Sequence, residues 1–137
     1  MVEILTEFPA YVAAYRASGA ISKEEYESVV VRRVDEVAAG FSKINFLVRL
    51  ETDLDNYSIG AFFKYLRVSF AHFFKWNRMA IVSDERWVRK AYELLSGVVH
   101  GEIRGYPLDE FEAARAWVSE PLSWGASSPP ATLRAYV

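Results

Sequence analysis

The chain has no cysteine among its 137 residues. Disulfides, thiolate nucleophiles and cysteine-ligated metal sites are therefore excluded. Histidine is also scarce: only His72 and His100 are present, and neither has a metal-ligand pattern around it, so no metal site is predicted. No run reaches the roughly 18 apolar residues that a membrane-crossing helix needs. Glu3 and Glu7 stand where a signal peptide would need a basic start, which predicts a cytoplasmic protein.

Net charge is low as well. The formal charge is −2, with 52% apolar and 25% charged residues, which is typical of a globular protein and not of a disordered one. Such a balance argues against a nucleic-acid partner, because a general nucleic-acid binder needs basic charge across a face. No nucleophile elbow, phosphate-binding glycine loop or Ser-His-Asp ordering is visible, so no cofactor and no enzyme activity are predicted.

Acidic residues are absent between Asn56 and Ser83. Within this stretch, residues 58–76 (SIGAFFKYLRVSFAHFFKW) read as one helix rich in aromatic side chains. On a helical wheel its apolar side chains share an arc of about 120°. The members of this arc are Ile59, Phe62, Phe63, Leu66, Phe70, Phe73 and Phe74. An arc of this width predicts a helix that packs on a sheet.

The opposite arc of the same helix is basic. Lys64, Arg67 and Lys75 are predicted to face water, with Phe74 and Trp76 beside them. Cations flanked by aromatic rings are typical of a helix that lies in a membrane interface. These five residues are therefore a predicted membrane-surface set, in which each cation contributes about 1 kcal/mol near anionic lipid.

Apolar periodicity along the whole chain alternates between strands and helices. Strands are predicted at residues 2–5, 10–18, 43–51, 77–83 and 101–107, and helices at 22–40, 58–76, 84–97 and 108–118. The order β-β-α-β-α-β-α-β-α predicts an α/β fold: a mixed, mostly parallel sheet with an N-terminal hairpin, covered by helices. Residues 120–137 are rich in proline, serine and alanine and are predicted to be a tail that docks through Trp124.

Three helix starts carry capping signals. Ser22 and Glu25 form a capping box, in which the Ser22 hydroxyl accepts from the Glu25 amide and the Glu25 carboxylate accepts from the Ser22 amide. Asp109 and Glu112 predict a second box, and Ser58 is predicted to cap the aromatic helix.

Several segments together resemble a known family. The segments "KWNRMAIVSDERWVRKAYELL" and "GEIRGYPLDEFEAARAWV", with the β-β-α opening, resemble the SpoIIAA-like proteins, small bacterial relatives of the STAS domain. The resemblance covers about residues 1–119, taken as one domain, and leaves 120–137 as the tail. It implies a mixed sheet covered by helices, and the roles proposed for the family include apolar ligand carriage and membrane association.

The leading hypothesis is a non-enzymatic binding module for an apolar small molecule or lipid, able to meet a membrane surface. Its ligand would lie between the helices at 58–76 and 84–97. The predicted ligand-binding residues are Phe62, Phe63, Leu66, Phe70, Trp87, Ala91 and Leu94. A solid core between the same helices and the sheet needs the same residues, so the two interpretations stay open. The sequence leaves a homodimer open as well.

The first alternative is a STAS-type protein-interaction switch, regulated by phosphorylation near Ser58. In the wider superfamily the corresponding loop carries a phosphorylated serine in an Asp-Ser-Ser-Gly-type motif, of which only Ser58 and Gly60 remain. A plain helix cap is the simpler interpretation of Ser58.

Acidic loops give the remaining alternative, a small enzyme that works at Asp55 and Asp84. The simpler interpretation of Asp84 is an interaction with the positive end of a helix. Glu51, Asp53 and Asp55 have part of the spacing of a calcium loop but lack its later glycine and glutamate, so they are predicted to be solvated.

Overall fold

The computed structural model describes residues 1–70, 75–96 and 101–122, with the side chain of Phe70 excepted. Its five strands lie in the order β1-β2-β3-β4-β5. The strands are β1 (Val2–Ile4), β2 (Val12–Ala17), β3 (Ile44–Leu50), β4 (Trp76–Val82) and β5 (Glu102–Tyr106). β1 is antiparallel to β2, and the pairs β2–β3, β3–β4 and β4–β5 are parallel. The predicted hairpin and parallel sheet are confirmed.

Helices follow each strand from β2 onward. The first is a continuous rod of α1 (Lys23–Glu25), a π-helical segment (Tyr26–Val31) and α2 (Arg32–Gly40). The others are α3 (Asn56–Phe70), α4 (Glu85–Leu95) and α5 (Phe111–Val118), which follows a 3-10 turn at Leu108–Glu110. The predicted order β-β-α-β-α-β-α-β-α is therefore confirmed, while the π-helical segment was not predicted.

Two apolar layers hold the helices on the sheet. The first rod, α3 and α4 share one buried cluster, to which they contribute Tyr26, Val30, Val34, Val37, Ile59, Phe62, Phe63, Leu66, Ala91 and Leu95. Helix α5 covers the other face of the sheet through Ala114, Trp117 and Val118. This division follows from chain connectivity. The crossovers between successive parallel strands from β2 to β5 have the same handedness, so their helices lie on one face of the sheet.

The capping box at the first rod is half confirmed. The Ser22 hydroxyl accepts from the Glu25 amide at 3.0 Å, as predicted. The Glu25 carboxylate, however, accepts from the Val2 amide at 2.6 Å, so the predicted return bond to Ser22 is wrong. The edge strand β1 supplies the donor, and the bond ties the start of the rod to the sheet. The π-helical segment is tied as well, since the Tyr15 hydroxyl donates to the Val30 carbonyl at 2.8 Å.

Asn45 joins β3, β4 and α5. A register shift at this residue leaves Asn77 as an extra residue in β4. The fully buried Asn45 carboxamide accepts from the Arg78 amide at 3.0 Å and donates to the Val118 carbonyl at 2.8 Å. One side chain thus stabilises a bulge in the sheet and holds the end of α5.

Two predicted helix starts need correction. Helix α5 starts at Phe111 after Glu110, which makes no side-chain cap bond, so the predicted box at Asp109 and Glu112 is wrong. The Glu112 carboxylate lies 3.9 Å from the Arg115 guanidinium instead. The described part of α3 begins at Asn56, two residues earlier than predicted, because Asp55 supplies the cap.

Candidate functional site

The start of α3 is held by a compact polar cluster. One Asp55 carboxylate oxygen accepts from the Tyr57 amide at 3.0 Å, and the other accepts from the Ser58 hydroxyl at 3.1 Å. The Ser58 oxygen also accepts from the Ile21 amide at 2.9 Å. Ser58 is only 2% exposed and lies within the first turn of α3, and its oxygen accepts from Ile21 and not from an amide of α3. The prediction that Ser58 is the helix cap is therefore wrong. Its hydroxyl instead joins the loop before the first rod to the first turn of α3.

The predicted ligand-binding residues come together in the layer between the helices and the sheet. Phe62, Phe63, Leu66 and Ala91 are at most 1% exposed and lie in one buried cluster. Trp87 and Leu94 are half-buried at the edge of this cluster. The side chain of Phe70 lies outside the described residues. The four buried residues therefore belong to the core cluster.

The predicted membrane-surface set does not form one surface. Lys64 and Arg67 are exposed on α3, but Trp76 is the first residue of β4 and is only 3% exposed. Its ring packs edge-on against Phe46, with ring centroids 5.8 Å apart, so the prediction that it meets a membrane is wrong. Lys75 lies in a turn, and its ammonium group donates to the Ala38 carbonyl at 2.7 Å. Phe74 lies outside the described residues.

The outer surface of α3 and α4 combines cations with exposed aromatic and apolar side chains. We call it the outer helical face and define it by Tyr57, Lys64, Arg67, Val68, Arg86, Arg89, Lys90 and Tyr92. The acids Glu85 and Glu93 of α4 are exposed beside these residues. Five large hydrophobic residues are exposed in the described part of the chain, and three of them, Tyr57, Val68 and Tyr92, lie on this face. Tyr57 is 80% exposed, and Val68 is 68% exposed. The two helices therefore leave apolar surface uncovered.

The cations of the outer helical face are mostly without acidic partners. Among the described residues, Lys64, Arg67, Arg86 and Lys90 make no ion pair. Arg89 lies 3.5 Å from Glu85, but both side chains are more than 70% exposed, so the pair contributes little. Positive charge on this face is thus available to a partner.

A groove on this face lies between the start of α3 and α4. We call it the basic groove; its volume is about 560 Å³ and it is lined by Asn56, Arg86, Trp87, Arg89, Lys90 and Glu93. The Arg86 guanidinium lies 4.9 Å from the centre of the Trp87 ring, within the range of a cation–π contact. The Asp84 carboxylate accepts from the Trp87 amide at 3.2 Å, which confirms the predicted role of Asp84 at the start of α4. Asp84 thereby positions the lining tryptophan.

A second groove lies on the opposite flank of α3, against the π-helical segment. We call it the tyrosine groove; its volume is about 480 Å³ and it is lined by Lys23, Tyr26, Glu27, Val31, Tyr65, Val68 and Ser69. The rings of Tyr26 and Tyr65 lie 5.4 Å apart, and the Tyr26 hydroxyl lies 3.5 Å from the Ser69 hydroxyl. Burial raises the pKa of Tyr26 to about 12, so the phenol stays neutral near pH 7.

Sequence reasoning missed the tyrosine groove for a physical reason. Tyr26 is only 2% exposed and belongs to the core cluster, although it also lines the groove. The groove depends on the separation between the π-helical segment and α3, which no residue spacing in the sequence encodes. A π-helical segment is itself frequent at functional sites.

Three of the acidic loop residues, Glu51, Asp55 and Asp84, have structural partners. Glu51 pairs with Arg16 at 2.9 Å and with Arg49 at 2.7 Å, and Asp55 and Asp84 cap helices. Within the described residues, no three histidine or acidic side chains are grouped as a metal site would require. In the same part of the chain, no helix has both the length and the apolar character needed to span a bilayer. Of the predicted tail at 120–137, residues 123–137, which include Trp124, lie outside the described residues.

Comparison with known proteins agrees with the architecture. The family model described as SpoIIAA-like matches residues 12–119, which span every element from β2 to α5. Searches of curated proteins and of solved structures found no match to the chain. The matched residues cover well over half of the chain, and their sheet and helices have the predicted order. The chain therefore belongs to the SpoIIAA-like family.

Proposed function

We propose that this protein is a non-enzymatic protein-interaction module of the STAS type, which binds a protein partner through the outer helical face. The observation that carries the proposal is the concentration of exposed aromatic and apolar side chains among unpaired cations on α3 and α4. Tyrosine, tryptophan and arginine are enriched in protein interfaces and in their energetic hot spots. Tyr57, Tyr92 and Arg86 supply two of these residue types, and Trp87 supplies the third.

Site-specific photo-crosslinking in cells tests the proposal. A photoreactive phenylalanine analogue replaces Tyr57 or Tyr92, since both are exposed and a ring of similar size leaves the fold intact. Glu112 on α5 is the matched control position, because its side chain is 79% exposed on the other face of the sheet. We expect discrete adducts from positions 57 and 92 and none from 112. Equal adduct patterns from all three positions, or no adducts at all, would contradict the proposal.

The same experiment bears on self-association. An adduct with twice the mass of the chain would make the partner a second copy and support a homodimer. An adduct of any other mass gives the size of a different protein partner, which mass spectrometry of the adduct then identifies.

A second candidate function is binding of an apolar small molecule in the tyrosine groove. The groove has the size of small-molecule sites, which range over about 300–1,000 Å³, and it combines apolar walls with few polar groups. Native mass spectrometry of freshly purified protein measures any bound mass. We expect Val68→Lys to remove it and Lys64→Gln, on the same helix outside the groove, to retain it. Absence of bound mass from the parent protein would reject this function.

Neither membrane insertion nor direct phosphorylation of Ser58 is part of the proposal. The ring expected to insert, Trp76, is in the core, and the cation beside it, Lys75, is engaged by a carbonyl. A kinase needs an accessible hydroxyl, whereas Ser58 is buried and its oxygen lies 3.1 Å from the Asp55 carboxylate. Phosphorylation there would place new negative charge against an acid.

A further inference from the structure

We infer that the basic groove binds an extended, acidic segment of the protein partner, with two acidic side chains two positions apart and an aromatic or large aliphatic side chain beside them. The inference rests on the proposed function, because it names the part of the partner that the outer helical face recognises. Its basis is the arrangement of charge and aromatic surface along α4.

Charge complementarity defines the sign of the occupant. The lining residues include three cations, Arg86, Arg89 and Lys90, and one acid, Glu93. In the described part of the chain, neither Arg86 nor Lys90 has an ion-pair partner, and the contact of Arg89 with Glu85 is long and exposed. Two cations are therefore free to donate hydrogen bonds to carboxylates, and such charge-assisted bonds are stronger than bonds between neutral groups.

The spacing along α4 defines the shape of the occupant. Arg86 and Lys90 are four residues apart on one helix face, which corresponds to a rise of about 6 Å. On an extended chain, side chains two positions apart point to the same side and are separated by about 7 Å. Acidic residues at positions i and i+2 of an extended segment can thus meet both cations at once.

Trp87 supplies an apolar contact within the same groove. Its ring is half-buried, with Arg86 stacked on it at 4.9 Å, so the stacked guanidinium is held in place before any partner arrives. A held side chain loses less rotamer freedom on binding, which favours affinity. The accessible part of the ring is suited to an aromatic or large aliphatic side chain, and Asn56 on the opposite wall can hydrogen-bond a peptide backbone.

Glu93 argues against a compact, highly charged anion. A phosphate cluster of a nucleic acid or lipid headgroup would bring several negative charges near this carboxylate, whereas an extended peptide can place carboxylates at Arg86 and Lys90 and a neutral residue near Glu93. The groove therefore favours a peptide in which acidic and apolar residues are mixed.

Selection from a random peptide display library tests the inference with the full chain. The parent protein is compared with Arg86→Glu/Lys90→Glu in the groove and with Lys64→Glu/Arg67→Glu on α3. The control reverses the same number of charges on the same face outside the groove. Circular dichroism and thermal unfolding should be unchanged in both variants, because all four side chains are exposed.

We expect peptides enriched by the parent protein to carry acidic residues at i and i+2 beside an aromatic or large aliphatic residue. The groove variant should weaken binding of the best such peptide by about tenfold or more, and the control by much less, because screening limits charge effects beyond about 10 Å. Enrichment of acid-free peptides, equal losses in both variants, or no enrichment at all would overturn the inference.

Three further outcomes identify which proposal has failed. In one outcome, the parent protein pellets with phosphatidylglycerol vesicles, the groove variant does not, and no acidic peptides are enriched. This outcome would show that the groove binds lipid headgroups and would overturn the inference. Adducts that persist from positions 57 and 92 in the groove variant, without acidic enrichment, would overturn the inference alone. If the parent protein gives neither crosslinked adducts nor enriched peptides, the proposed function is rejected as well.

Discussion

Replacement of Ser58 tests the polar cluster that holds the start of α3. The structure predicts the opposite effect of Ser58→Asp on stability from the one expected if Ser58 were a helix cap. A cap serine tolerates aspartate, because aspartate caps helices about as well. In the structure, Ser58 is 2% exposed and its oxygen lies 3.1 Å from an Asp55 carboxylate oxygen and 2.9 Å from the Ile21 nitrogen. Ser58→Asp should therefore destabilise the protein, since it places a second carboxylate beside the first.

The magnitude follows from two contributions. Loss of the Ser58 hydroxyl leaves the Ile21 amide without its acceptor, so Ser58→Ala should cost about 1–3 kcal/mol. In Ser58→Asp the new carboxylate can still accept from Ile21, but two like charges about 4 Å apart repel by up to about 4 kcal/mol at an effective dielectric constant near 20. Relaxation of the exposed Asp55 reduces that value, so we expect Ser58→Asp to cost about 2–4 kcal/mol.

Urea unfolding at pH 7 measures these losses, and Ser58→Asn is the matched control. Asparagine has the size of aspartate without its charge, so the difference between the two variants isolates the repulsion. A Ser58→Asp variant as stable as the parent, or no more destabilised than Ser58→Asn, would refute the placement of Ser58 against Asp55.

Four further predictions follow from the core and the grooves. Trp76→Ala should cost about 3–5 kcal/mol by urea unfolding, because the ring is 3% exposed, whereas Trp87→Ala should cost clearly less because its ring is half-buried. Gly105→Ala should destabilise by about 1–3 kcal/mol, since a Cβ there would lie 1.9 Å from a Val88 methyl group, and Val88→Ala in the same chain should recover part of the loss. Asn45→Leu should cost about 2 kcal/mol or more, because it leaves the Arg78 amide and the Val118 carbonyl without partners. Burial raises the pKa of Tyr26 from 10.0 to about 12, so the neutral phenol stabilises the folded state fully below pH 10, and this stabilisation is lost between pH 10 and pH 12. Tyr26→Phe should therefore remove about 2–3 kcal/mol of the decline in the free energy of unfolding over this pH range, and an unchanged decline would contradict the prediction.

The element order could be predicted from the sequence because each strand and helix has a clear apolar period. The run Ile44–Leu50 is buried at nearly every position, as expected for a central parallel strand, and Val30, Val34 and Val37 follow a helical face. Such periods depend only on which side of an element faces the core. They can therefore be identified from the sequence without knowing which elements pack against each other.

The element boundaries and the groove walls could not be predicted in the same way. A strong amphipathic period extended the predicted aromatic helix through Trp76, although in the structure this ring belongs to β4 and packs on Phe46. An aromatic residue suits a helix face and a strand face equally, so the sequence offers no local signal for the change. Grooves depend on the spacing between elements, which side-chain volumes across the whole layer determine.

The absence of acidic residues between Asn56 and Ser83 has two separate explanations. In β4 most residues are buried, so an acid there would be costly whatever the function. Among the described residues of this stretch, the absence is informative only where α3 faces water, at Asn56, Tyr57, Lys64, Arg67 and Val68. At these positions an acid would cost little, and acids are common on exposed helices elsewhere in the chain, as at Glu85 and Glu93 of α4. A core helix thus accounts for the phenylalanines on its inner side, while Tyr57 and Arg67 on its outer side fit the proposed partner surface, because tyrosine and arginine are enriched in protein interfaces.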